Sequence, residues 1–141
     1  MEMRTNIRPE LSQKNKYWID KHRYYELKHF CLQYGEWKKK YADLLDFSIS
    51  TYSFDRFGSA GGYSDLTAKY AMEKAGYAEK IKIVEQAAIE ADSDLYPYIL
   101  KAVTEDLSYT YLRTTLDIPC SRDMYYDRYR RFFWLLNKSR D

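Results

Sequence analysis

The sequence predicts an all-α protein, a small helical domain with a C-terminal helix-turn-helix, and three observations lead there. Apolar residues recur at intervals of three and four in successive segments, and no strand-like alternation runs longer than a few residues. Caps and helix breakers fall mostly between those segments, with Gly76 an exception. The composition is 31% charged against 45% apolar, with five glycines and three prolines in 141 residues. Such a chain folds, and it is long enough to bury a core without a disulfide or a structural metal.

Residues 1–15 mix charges with Asn6, Pro9 and Ser12 and lack apolar periodicity, which predicts a flexible N-terminal arm. Tyr17, Tyr24, Leu27, Phe30, Cys31 and Tyr34 then mark an amphipathic helix from Tyr17 to Gln33, with Gly35 expected as its left-handed terminator. A shorter helix from Glu36 to about Leu45 places Trp37, Tyr41, Leu44 and Leu45 on one side, so that 16–45 forms a helical hairpin. Residues 46–64 hold no period and contain GSAGG, the signature of a flexible surface loop. Asp65 is the expected cap of a long helix, Leu66–Ala91, whose stripe runs through Leu66, Tyr70, Tyr77, Ile81, Val84 and Ala88. The near-heptad spacing of that stripe suits a homodimer through 66–91. Ala91-Asp92-Ser93-Asp94 supplies a turn and a cap, and Leu95–Glu105 follows as a helix with Pro97 in its first turn and Ile99, Leu100 and Val103 buried. Residues 65–141 are expected to pack with 16–45 as one domain.

Charge is unevenly distributed. Residues 1–41 hold ten Lys/Arg against five Asp/Glu, residues 42–100 hold five against ten, and residues 121–141 hold six against three. Basic ends point to an anionic partner for the ends, and the acidic middle either repels that partner or receives another protein. The two cysteines, Cys31 and Cys120, have no spacing that suggests a bridge or a zinc site, which fits a reducing cytoplasm. The N-terminus lacks the apolar run of a signal peptide, and no stretch approaches the roughly 18 apolar residues of a membrane span.

The last 36 residues have the grammar of a helix-turn-helix. A helix over Ser108–Leu116 buries Tyr111 or Leu112 together with Leu116 and stops before Asp117-Ile118-Pro119, because proline lacks the amide a continuing helix requires. Ile118 occupies the place of an apolar plug between two helices, and Ser121 is placed to cap a helix from Arg122 to about Lys138. Tyr125, Tyr129, Phe132 and Leu136 form its core stripe, with Phe133 beside it. Asp123, Tyr126, Asp127 and Arg130 are expected on the opposite face, flanked by Arg122, Arg128 and Arg131. A recognition helix presents its first residues to base edges and its flanking cations to phosphate. Arg122 and Tyr126 are therefore the expected base readers behind the Ser121 cap. Arg128, Arg130, Arg131 and Lys138 are the expected phosphate contacts, with duplex DNA as the partner.

The stretch YTYLRTTLDIPCSRDMYYDRYRRFFWLL at 109–136 resembles the C-terminal region of the ArpU/RinA-type phage transcriptional regulators of Firmicute bacteriophages and prophages. The likeness extends more loosely to YYELKHFCLQYGEWKKKY at 24–41, KIKIVEQAAIEAD at 80–92 and YPYILKAVTED at 96–106. It implies a small helical activator of late phage genes, with a helix-turn-helix related to region four of sigma factors. Action in the cytoplasm of a bacterial host is expected, and host RNA polymerase or another host protein is a further candidate partner. Two rivals share these features: a small-terminase-like DNA-packaging protein, and an inhibitor or adaptor that turns a helix-turn-helix scaffold toward a protein.

Other chemistry is weakly represented. The Gly58–Gly62 stretch follows no apolar strand and contains no GK[ST], which argues against a nucleotide cradle. His22, Glu26 and His29 share a helical face, but no HExxH pattern or further histidine completes a metal set. Neither cysteine has a histidine partner in a nucleophilic pattern, so no catalytic residues and no cofactor are expected. Trp37 and Trp134 lie beside apolar stripes and are expected as packing anchors rather than platforms for bases.

Overall fold

A computed structural model describes residues 14–55 and 63–140 of the chain, with side chains outside 47–64, and every regular element among them is a helix. The helices are α1 (Lys21–Leu32), α2 (Tyr34–Asp55), α3 (Tyr63–Ala91), α4 (Tyr96–Glu105), α5 (Tyr109–Thr114) and α6 (Arg122–Ser139). The all-α expectation holds. None of these helices is long and apolar enough to cross a membrane.

Local chemistry explains most boundaries. The Asp20 side chain accepts from the His22 amide and starts α1. Upstream, within the expected arm, Asn15 Oδ1 accepts from the Tyr17 amide at 2.8 Å and the Asn15 carbonyl accepts from Trp18 at 3.0 Å, making an ordered turn. The rest of that arm, 1–13, lies outside the described residues. The break after α1 falls at Gln33, which keeps right-handed dihedrals, and not at Gly35, which lies inside the first turn of α2. Residues 46–55 continue α2 instead of beginning a loop. Serine, threonine and aromatic residues have only modest helix propensity, so FSISTYSFD gives a poor signal for a helix it nonetheless joins. The GSAGG cluster lies outside the described residues. Helix α3 begins at Tyr63, which puts Asp65 in its first turn, where a carboxylate suits the helix dipole, rather than at the cap.

The described chain divides into two compact units, Tyr34–Lys82 and the remainder, where the sequence suggested one domain. In the first, α2 and the N-terminal part of α3 run antiparallel. Lys80 lies 5.7 Å from the Trp37 ring, Lys40 5.9 Å from Tyr77 and Lys74 6.0 Å from Tyr41, so numbers rise on one helix as they fall on the other.

In the second unit, α1 packs on α4 and α6, and α4 packs on α6. Leu27, Cys31, Val84, Ala88, Ile99, Leu112, Phe132 and Leu136 are fully buried there. Aromatic rings join α1 to α6: Tyr24 meets Phe133 edge-on at 5.1 Å, and the Tyr24 and Tyr129 hydroxyls share a buried hydrogen bond of 2.6 Å. Arg23 donates to Asn137 at 2.6 Å, and the Arg140 guanidinium lies 3.9 Å from the Phe30 ring, closing the far end of the same seam.

Burial, and then the Tyr24 hydroxyl, push the Tyr129 phenol well above its ordinary range. A phenol that resists ionisation when folded contributes stability fully present below pH about 10, the unfolded value, and lost as pH rises beyond it. Tyr24→Phe leaves the Tyr129 hydroxyl without this partner and is expected to lower stability by about 1–3 kcal/mol in denaturant titration. The double change Tyr24→Phe with Tyr129→Phe is expected to recover part of that loss, because neither buried hydroxyl then needs a partner.

Candidate nucleic-acid interface

The 108–122 region is held by side chain to backbone bonds that its sequence specifies. Ser108 Oγ accepts from the Tyr111 amide at 3.1 Å and caps α5, and Ser121 Oγ accepts from the Met124 amide at 3.2 Å and caps α6. Between them Asp117 adopts φ 54, in the left-handed region, and the Ile118 amide donates back to the Leu112 carbonyl at 3.0 Å. That reversal turns Ile118 into the core at 2% exposure, beside a fully buried Leu112. The Tyr109 hydroxyl donates to the Cys120 carbonyl at 2.8 Å, and the Tyr109 ring lies 5.6 Å from Tyr125. Helix α5 is shorter than expected and buries Tyr109 and Leu112, whereas Tyr111 is 42% exposed and Leu116 half-buried.

The seven expected contact residues separate into distinct environments. Ser121 and Arg122 are exposed at the start of α6, where the Arg122 guanidinium lies 5.3 Å from the Tyr126 ring. Tyr126 itself is only 4% exposed, so its assignment as a base reader is corrected. Its ring packs against Tyr125 at 5.0 Å and Tyr129 at 6.0 Å. The physical reason is the paired aromatics. Tyr125-Tyr126 and Phe132-Phe133 both enter the core, widening the buried face of α6 by a residue on its flank beyond the expected stripe.

Arg128 and Arg131 are tied down within the fold. Arg128 Nε donates to Asp92 Oδ2 at 2.9 Å, and Arg128 also pairs with Asp127. Arg131 donates through Nε and Nη2 to the Glu90 carbonyl at 3.3 Å and through Nη1 to the Tyr17 hydroxyl at 3.3 Å. Arg130 is half-buried, with a buried Nε that has no hydrogen-bond partner among the described residues. Lys138, exposed near the C-terminus of α6, sits 3.5 Å from the Trp134 ring, which in turn lies 5.4 Å from Tyr17. The solvent side of the first turns of α6 thus carries Arg122, Asp123 and Met124, the last 44% exposed.

The partner of Arg128 has no signal in sequence spacing, since 36 residues separate it from Asp92. Asp92 was legible only as a turn residue, and it performs that task as well: its Oδ1 accepts from the Asp94 and Leu95 amides at 2.9 Å. Burial alone would raise the Asp92 carboxyl, but the Leu95 amide, the Arg128 guanidinium and the Asp94 amide together hold it below its ordinary value. Asp92, Arg128, Arg131, Tyr17 and the 91–94 turn line an open pocket of about 420 Å³. Two cations and two carboxylates face it, so it carries little net charge.

Burial raises the Cys31 thiol far above its ordinary range and raises Cys120 more modestly, which keeps both protonated at neutral pH. His22, Glu26 and His29 are all exposed, and no group of three or more His, Cys, Asp or Glu is placed to hold a metal among the described residues.

Two expectations follow from this geometry. Asp92→Ala removes a half-buried turn acceptor and the Arg128 partner together, and is expected to cost about 1–3 kcal/mol in denaturant unfolding at neutral pH. The Asp92 contribution is present above the unfolded carboxyl value and fades as pH falls through the lower folded one, so the difference from wild type should narrow in acid. Asp117→Gly relieves the left-handed strain at a side chain 93% exposed and is expected to raise stability by about 0.5–1 kcal/mol, measured as an increased denaturation midpoint. Compared with protein-family models, curated proteins and solved structures, the chain matches none.

Proposed function

We propose that the chain is a sequence-specific DNA-binding transcription regulator of the phage or prophage late-gene activator type, acting in the bacterial cytoplasm and reading duplex DNA through α5, the 115–121 turn and α6. The observation that carries the reading is the serine-capped start of α6, which stands behind a turn fixed by Ile118 and Tyr109 and exposes Arg122 and Met124. A helix entering the major groove requires that its first turn be rigidly held and open to solvent. Arg122 then serves as the base reader, while Met124 offers an apolar contact of the kind thymine methyls accept. Arg130, Lys138 and Arg113 of α5, whose pair with Asp117 at 3.7 Å is exposed and therefore weak, supply phosphate contacts. The excess of basic residues at 1–41 and 121–141 favours the same anionic partner.

A second reading draws on the arginines whose donors point inward. With Arg128 engaged by Asp92 and Asp127, and Arg131 by Glu90 and Tyr17, α6 offers fewer phosphate ligands than its sequence suggests. This favours an adaptor that uses the helix-turn-helix as scaffold and binds a host protein, with RNA polymerase as the partner of choice.

A salt titration of binding to mixed duplex DNA separates the two. On the DNA-binding reading, wild-type affinity falls steeply with salt, Arg113→Ala with Lys138→Ala flattens the log–log slope by about one for each phosphate no longer neutralised, and Arg122→Ala relaxes the sequence preference instead. Absence of duplex binding by the wild-type chain at low salt defeats that reading. Capture of RNA polymerase that is indifferent to replacing Arg122, Arg130 and Arg131 then identifies the adaptor.

A further inference from the structure

The open pocket between α6 and the turn that joins α3 to α4 carries charge of opposite sign on its two sides. Arg128 reaches from α6 to Asp92 in the turn at 2.9 Å and also pairs with Asp127, so these groups are neutralised within the chain. Two more charges line the same pocket with no ionic partner among the described residues, Arg131 on the α6 side and Asp94 on the turn side.

An arginine offers five N–H donors in a planar fork. Half-buried Arg131 turns the edge formed by Nε and Nη2 to the Glu90 carbonyl, and Nη1 donates to the Tyr17 hydroxyl, each at 3.3 Å. Satisfying a carbonyl in the last turn of α3 accounts for that edge. One N–H on each Nη is left without an acceptor among the described residues, and the positive charge meets neutral oxygens only. Across the pocket, the Asp94 amide bonds Asp92, but its exposed carboxylate accepts nothing among the described residues, and neither does the exposed Ser93 hydroxyl beside it. The carbonyl end of α3 adds partial negative charge on this side.

A ligand of one sign fits poorly. A simple anion at Arg131 also meets Asp92, Asp94 and the end of α3, and a simple cation at Asp94 also meets two guanidinium groups. A molecule with both charges is complementary to both sides. We propose that this pocket binds a small zwitterion of the amino-acid class, with its carboxylate on the open N–H groups of Arg131 and its ammonium on Asp94 and Ser93. The volume of about 420 Å³ lies in the range of small-molecule sites, and Tyr17 supplies an apolar wall. A nucleic-acid backbone, anionic throughout, gains nothing from Asp94, so the site is independent of DNA binding.

The test is a titration of the full chain with the protein amino acids, β-alanine, γ-aminobutyrate and ε-aminocaproate, followed by the amide NMR shifts of Ser93, Asp94 and Arg131. Saturable one-to-one binding of at least one of them is expected. Its N-acetyl derivative and its carboxamide keep the same body and lose one charge each, and each is expected to bind about tenfold or more weakly. Asp94→Asn alters an exposed side chain, so the fold is retained; it should weaken the zwitterion by a similar factor and leave the N-acetyl derivative unchanged. Arg131→Gln should act in the same way on the carboxylate. The proposal is overturned if no compound shifts these amides at tens of millimolar. It is equally overturned if the N-acetyl derivative binds as tightly as its parent, or if Asp94→Asn leaves zwitterion affinity unaltered.

Discussion

The hydroxyl pair of Tyr24 and Tyr129 is the constraint on which the larger unit turns. It joins residues 105 apart in sequence, inside a seam where Tyr24, Phe133 and Tyr129 meet ring to edge. Two phenols can be buried together only if each hydroxyl finds a partner, and here each finds the other. The angular position of α6 about its own axis is thereby set from α1. Once Tyr129 faces α1, Tyr125, Phe132 and Leu136 follow into the core and the start of the helix is turned to solvent. The exposure of Arg122 is therefore a consequence of packing near the middle of the helix.

Much of this was legible along the chain. Serines at 108 and 121 announce helix starts by a local hydrogen bond to an amide three residues on, and local bonds are what a sequence encodes most directly. Ile118 before Pro119 was readable as a buried plug for the same reason, since the turn leaves one apolar residue with nowhere else to go. Gly35 misled because glycine, though favoured just past a helix end, is also tolerated in a first helical turn, and the break falls instead at Gln33, whose amide bonds the Phe30 and Cys31 carbonyls. The extension of α2 to Asp55 was hidden by residues whose intrinsic preference for helix is weak, in a stretch where continuation of an existing helix needs only propagation.

The interface residues were less legible, and the failures share a cause. Periodicity places a residue on a face to within one position, yet in α6 a single position separates core from solvent. Tyr126 was assigned outward from a stripe through 125, 129, 132 and 136, but consecutive aromatic pairs broaden the stripe and take it inward. Arg128 and Arg131 were placed correctly near the surface, but their partners, Asp92, the Glu90 carbonyl and Tyr17, come from distant segments that no spacing on α6 could reveal.

Those internal partners bear on what α6 has left to offer. An arginine held by a carboxylate, as Arg128 is by Asp92, reaches an external phosphate only by exchanging one charged acceptor for another. The gain is then a difference between two similar interactions. Arg131 is held by a carbonyl and a phenol, neutral acceptors that a phosphate outcompetes more readily. The arginines of one helix thus form a graded set, from Arg122 at the exposed cap, through Arg131, to Arg128 beside its carboxylate. The cap end, where Arg122 lies, is the end of α6 that the Ser121 bond and the buried Ile118 hold in place.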